Sequence, residues 1–132
     1  MAVLNRADSL FATEQWGASL DGYRYATQVY HAQIKEDDLL GLLQRMVYAA
    51  RESQRITEVL ATLWDFLRGS YAYPVRLFCL NTLFDQSLEE DNINELLKLV
   101  VAINSDRDFR YDIGVNLRLL HTGDKFEDEE RY

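Results

Sequence analysis

Apolar residues recur at spacings of three and four along most of this chain, and that periodicity restricts it to packed amphipathic helices. Behind Asp37-Asp38, the residues Leu39, Leu42, Leu43, Met46, Val47 and Ala50 form one such stripe. Ile56, Val59, Leu60, Leu63, Phe66 and Leu67 form a second, and Ile93, Leu96, Leu97, Val100 and Ile103 a third. On a helix these positions share one face, which has to be buried against another element. Breakers are scarce: six glycines and one proline in 132 residues, against an average usage of about 12%. That scarcity argues against a turn-rich β-sandwich or a disordered chain and for a soluble, mostly helical domain. A chain of this length can bury a core without staples. The single cysteine excludes an internal disulfide framework and a multi-thiolate zinc site.

Punctuation between the stripes sets the expected boundaries. Asp8-Ser9 can cap a first helix around Leu10 to Trp16, and Trp16-Gly17 with Asp21-Gly22 suggests a break before a second helix from Tyr23 to Ile34. Asp37-Asp38 suits a helix N-terminus through the dipole. Gly69 is expected as a left-handed cap, and Pro74 in the first turn of the helix carrying Leu77, Leu80, Leu83 and Phe84. Asn92 and Glu95 have capping-box spacing, and Ser105 with Asp108 makes a weaker box. Gly123 is expected to close the helical region, giving one helical domain over 1–123 and a solvated acidic tail over 124–132. From Phe109 to Leu119 strict alternation fits a strand, whereas Phe109, Ile113, Leu117 and Leu120 fit a helical stripe. The helix is preferred because a lone strand would leave its backbone groups unpaired. Tyr111, Val115 and Leu119 then form a second apolar face, which is the candidate for an outward contact.

Taken in pairs, the elements make three helical hairpins and one extra helix. Their second members begin their stripes at Tyr23, Ile56 and Ile93, intervals of 33 and 37. Such spacing is the mark of helical repeat arrays, whose units bury their apolar faces only by stacking. Leu20-Asp21-Gly22-Tyr23, followed by Ala26, Tyr30 and Ile34, resembles the second half of a tetratricopeptide repeat, with Val59 in the next unit where that family has a small residue. Pro74-Val75-Arg76 to Leu83 and Asp108-Phe109-Arg110 to Leu117, offset by 34, are similar to HEAT-type repeats. They match at Val75/Phe109, Arg76/Arg110, Cys79/Ile113 and Leu83/Leu117. These resemblances imply an all-α fold of stacked antiparallel helical hairpins, a short solenoid-like array of about six or seven helices.

Residues that could carry chemistry are sparse. His31 and His121 stand 90 apart in sequence without a second ligand at metal spacing, and His121 suits a helix C-terminus. Cys79, between Phe78 and Leu80, is expected to be a buried thiol. The chain has no Gly-rich phosphate loop and no serine elbow. The expectation is therefore a protein that is not an enzyme, with no catalytic residues, cofactor or metal.

With 14 Lys plus Arg against 22 Asp plus Glu, the net charge of −8 opposes contact with nucleic acid or anionic membranes. Arg6 and Asp8 interrupt the first ten residues, and the longest apolar run, Leu96 to Ile103, is far too short to span a bilayer. The expected location is the cytoplasm. Tyrosine is abundant at positions 23, 25, 30, 48, 71, 73 and 111. These rings suit either the core boundary or an interface. Tyr71, Tyr73, Tyr111, Val115 and Leu119 are the candidate protein-binding residues. The expected function is a protein–protein interaction module of adaptor, scaffold or chaperone type. Self-association through exposed array ends is a further expectation. The alternative is an acidic inhibitor or immunity-type protein that fills the basic groove of a nucleic-acid-binding enzyme.

Overall fold

The computed structural model describes residues 1–130, with side chains through Asp124. Among them are eight α-helices, two short 3-10 turns and no strand. The chain divides into two compact units, Met1–Leu83 and Phe84–Tyr132, with the division falling inside a helix.

The first unit opens with α1 (Ala2–Ala12) and α2 (Trp16–Val29), packed as a pair. Neither boundary is where the sequence cues put it. Asp8-Ser9 lies inside α1, and α2 runs through both Gly17 and Gly22. Gly22 does not break the helix because its role is steric: a Cβ there would lie 2.9 Å from the Cβ of Ala7. Ser19 secures the same crossing by donating to the Ala7 carbonyl at 3.1 Å. Leu20, Tyr23 and Ala26 of α2 are buried. The helix stops at Val29, so Tyr30 is its C-cap, and His31–Gln33 is a 3-10 turn.

α3 (Glu36–Glu52) packs on α2 and follows its sequence signals closely. Glu36, Asp37 and Asp38 fill the first turn and Arg51 the last, the polarity the helix dipole favours. Leu39, Leu42, Leu43, Met46, Val47 and Ala50 are all buried. After a 3-10 turn at Ile56–Val59 comes α4 (Leu60–Arg68), burying Leu63, Phe66 and Leu67. Gly69 ends it in an extended conformation, φ −82° and ψ 174°, rather than the expected left-handed one. Space explains the glycine: an added Cβ would sit 2.5 Å from the Tyr71 ring. α5 (Tyr73–Glu89) has Pro74 in its first turn and buries Val75, Cys79, Leu80, Leu83 and Phe84.

Three helices end in the same backbone device. Glu14, Gln54 and Asp91 have φ of 61°, 59° and 50°, while no glycine has a positive φ. In each case the following amide donates back five residues, Gln15 to Leu10, Arg55 to Ala50 and Asn92 to Ser87 at 2.7–2.9 Å. These are Schellman closures built without the glycine that ordinarily occupies the left-handed position.

The second unit holds the end of α5, then α6 (Ile93–Ser105), α7 (Arg107–Arg110) and α8 (Ile113–Glu130). Asn92 caps α6 by accepting from the Glu95 amide at 3.2 Å, as its spacing predicts. The next cap is Asp106, which accepts from the amides of Asp108 and Phe109, rather than Ser105. Phe109–Leu119 is helical but broken: Tyr111-Asp112 forms a turn, and Asp112 starts α8 afresh by accepting from Val115 N–H at 3.1 Å. α8 continues through Gly123, a substitution-tolerant interior position that costs only about 1 kcal/mol relative to alanine. His121 is consequently an exposed mid-helix residue and not a C-terminal one. The expected tail over 124–132 starts as helix, and its last two residues and the side chains beyond Asp124 lie outside the described part.

The three stripe starts do not occupy equivalent places: Tyr23 is mid-helix, Ile56 opens a 3-10 turn and Ile93 opens α6. In the 34-residue offset, Val75 and Phe109 are both buried. Cys79 and Leu83, however, are buried where Ile113 and Leu117 are exposed, because the turn at Tyr111-Asp112 resets the helical phase.

Candidate interaction surface

Unit two buries one side of α6 and leaves another apolar side in solvent. Leu96, Leu99 and Ile103 point inward, while Ile93, Leu97 and Val101, spaced by four, are between 50% and 64% exposed. α8 repeats the pattern. Val115 is buried, whereas Ile113, Leu117 and Leu120, at spacings of four and three on the opposite face, are between 61% and 76% exposed. With Tyr111, seven of the eleven exposed large hydrophobic residues among the described residues lie in this unit; the other four are Met1, Tyr25, Val29 and Tyr48.

An apolar groove of about 280 Å³ lies between these helices. Ile93, Leu96, Leu97 and Val100 form its α6 wall and Leu119, Thr122 and Gly123 its α8 wall, with Phe84 at the base. Arg118 holds α8 against the end of α5 through an ion pair with Asp85 and a guanidinium stacked 4.9 Å from the Phe84 ring. Charge is distributed unevenly around the two units. Thirteen of the 22 acidic residues but six of the 14 basic ones fall in Phe84–Tyr132, a net of −7, leaving −1 for Met1–Leu83. Exposed Glu89, Glu90 and Asp91 precede the α6 cap Asn92, and exposed Asp124 follows Gly123. Exposed acidic residues thus stand close in sequence to both groove walls.

Unit one contains a different hollow, about 310 Å³ and of mixed lining, where Thr27, His31, Thr62 and Asp65 meet Phe66 and Tyr71. Two polar networks brace this unit. Tyr23 donates to Asp8 at 2.5 Å and accepts from Arg45 at 3.1 Å. Burial, and then the Asp8 acceptor, push the Tyr23 phenol up to about 12. Arg55 bridges Asp21 at 2.7 Å and Glu58 at 2.6 Å, and Arg24 reaches Glu58 at 2.6 Å. Hydrogen bonding to Arg55 holds the Glu58 carboxyl below its ordinary range, and the same partners raise Arg55. Cys79 is a free thiol, wholly buried, and burial pushes it up to about 12, the opposite of an activated nucleophile. Among the described residues no group of three or more His, Cys, Asp and Glu could hold a metal ion, and no helix is long and apolar enough to cross a membrane.

The five candidate residues separate in the structure. Tyr71 is half-buried in the loop before α5, its ring 4.8 Å from that of Phe66, and it lines the hollow of unit one. Tyr73 is half-buried at the start of α5 with Arg76 stacked 5.6 Å from its ring. In unit two, Tyr111 is exposed in the turn and Leu119 lines the apolar groove, but Val115 is in the core and offers no surface. The outward face of α8 is Ile113, Leu117 and Leu120, the set that sequence phase had placed inward with Phe109. The signal that could have found it is Asp112, three residues ahead of Val115, an N-cap spacing that restarts the helix.

Comparison with protein-family models, with curated protein sequences and with solved structures returns no match.

Proposed function

We propose that this protein is a non-enzymatic interaction module that binds another protein through the apolar surface of its second unit. The observation that carries the reading is the paired exposure of Ile93, Leu97 and Val101 on α6 and Ile113, Leu117 and Leu120 on α8. Single exposed hydrophobic residues are ordinary, but regularly spaced rows of them on two helices of one unit support a contact site. The finer architecture, stacked antiparallel hairpins, belongs to the same reading, and the close crossing of α1 and α2 at Ala7 and Gly22 supports it. A cytoplasmic adaptor or scaffold is the role such a surface suits. The acidic-inhibitor reading gains support from the −7 of unit two, but a mimic of nucleic acid has no use for an apolar centre.

The test is partner binding by the full chain against a Leu97→Asp/Leu117→Asp variant. Both side chains are largely exposed, so the variant keeps its helical circular dichroism. Proteins captured by the wild type are purified and titrated, and affinity for the variant falls about tenfold or more. Equal affinities for a partner would refute the proposed surface.

A further inference from the structure

The groove of unit two is lined by apolar residues within the strongly acidic part of the chain, and that combination selects the chemistry of what fills it. We infer that its occupant is a cationic amphipathic helix of a partner protein, an inference that rests on the interaction-module reading and specifies its partner. Ile93 and Leu97 stand one turn apart on one wall, opposite Leu119 and Gly123 on the other. This arrangement accepts apolar side chains recurring every three or four residues, the helix-in-groove mode of recognition. A volume of about 280 Å³ lies just below the range of about 300–1,000 Å³ typical of small-molecule pockets, and suits a few inserted side chains.

Charge then discriminates among apolar partners. Glu89, Glu90 and Asp91 precede one groove residue and Asp124 follows another, all four exposed. Lys98, the basic residue on α6, is paired with Glu95 at 2.8 Å and so adds little free positive charge. A second copy of this chain would bring another net −7 to the same place, and anionic lipid or nucleic acid would be repelled in the same way. Lysine and arginine flanking an apolar seam meet both requirements. Such complementarity speeds encounter and rejects wrong partners.

The full chain is titrated with three labelled synthetic peptides of about five helical turns. One is Leu/Lys amphipathic, one Leu/Glu amphipathic, and one retains the lysines with serine in place of leucine. At about 0.05 M salt the Leu/Lys peptide is expected to bind at least about tenfold more tightly than either other, with the advantage over Leu/Glu shrinking at about 0.5 M. Leu97→Asp, with Leu97→Ala as a milder second variant, weakens Leu/Lys binding. E89K/E90K/D91K shifts the preference toward Leu/Glu. Equal binding of Leu/Lys and Leu/Glu, or preference for Leu/Glu, in a Leu97-sensitive manner overturns the cationic partner while leaving the interaction surface standing. Binding of the serine peptide as tightly as Leu/Lys, or indifference of every peptide to Leu97→Asp, overturns the groove itself.

Discussion

Exchanging Ala7 and Gly22 tests whether the first helical pair is set by steric fit. In Gly22→Ala, the new methyl lies 2.9 Å from the Ala7 Cβ, well inside the optimum carbon separation of about 3.5–4.0 Å. Overpacking of this kind costs about 1–3 kcal/mol, partly offset by up to about 1 kcal/mol of helix propensity gained over glycine. The single variant is therefore destabilised by about 0–2 kcal/mol, although Gly→Ala inside a helix would ordinarily stabilise. Ala7→Gly loses about 1 kcal/mol of propensity and about 0.8 kcal/mol for a buried methyl. In the double exchange the propensities cancel. The clash also disappears, because the new methyl at position 22 then faces the Cα of residue 7 at 3.5 Å, an ordinary contact. Urea denaturation of the four proteins closes a thermodynamic cycle. The expected result is a double variant near wild-type stability, with a favourable coupling of about 2–4 kcal/mol. Additive losses in the two single variants would show that the crossing tolerates a methyl and that Gly22 serves no steric purpose.

Gln54→Gly should raise stability by up to about 1 kcal/mol, since a non-glycine at φ 59° carries a left-handed cost of about 1–2 kcal/mol that glycine avoids at some entropic loss; an unchanged denaturation midpoint refutes this. Tyr23 and Cys79 are both held neutral by burial. Their contribution to stability is complete below the unfolded pKa values, near 10 and 9, and is lost as pH rises toward about 12. Stability curves measured from pH 8 upward should fall through that window, and Tyr23→Phe should flatten the fall; a flat wild-type curve contradicts the assignment. Asn92→Ala should cost about 1 kcal/mol through loss of the α6 cap, and hydrogen exchange should locate the added opening at the start of α6 rather than in α3. Native Cys79 should react with a thiol reagent only as fast as the chain opens, so labelling should accelerate with denaturant.

Much of the fold is legible where a helix is both capped and striped by local residues. α3 combines three acids in its first turn with six apolar positions on one face, and the cap and stripe each specify the same element. Pro74 and Asn92 mark their helices for the same reason. Glycine misled in this chain because its usual meaning was reversed. Gly22 sits within a helix to admit a neighbour and Gly69 makes room for a ring, while the left-handed turns fall to Glu14, Gln54 and Asp91. Those three positions have no local side-chain signature. Their conformations are imposed by the helices that meet there.

The exposed face of α8 differs from the expected one through a change of helical phase. In one continuous helix Phe109, Ile113, Leu117 and Leu120 would share a face, and burial of Phe109 would take the others inward. The turn at Tyr111-Asp112 removes that linkage, so Phe109 and Val115 are buried while Ile113, Leu117 and Leu120 emerge. α6 carries a related ambiguity, because apolar residues occupy both its inward row at Leu96, Leu99 and Ile103 and its outward row at Ile93, Leu97 and Val101. Periodicity alone identifies a helix with more apolar surface than one neighbour can cover, but does not say which row is left over. The charge pattern adds what periodicity lacks. Net negative charge gathers in the unit with the uncovered rows, −7 against −1 for the other. A surface both greasy and negative resists its own copies by repulsion, yet stays available to a partner that is greasy and positive.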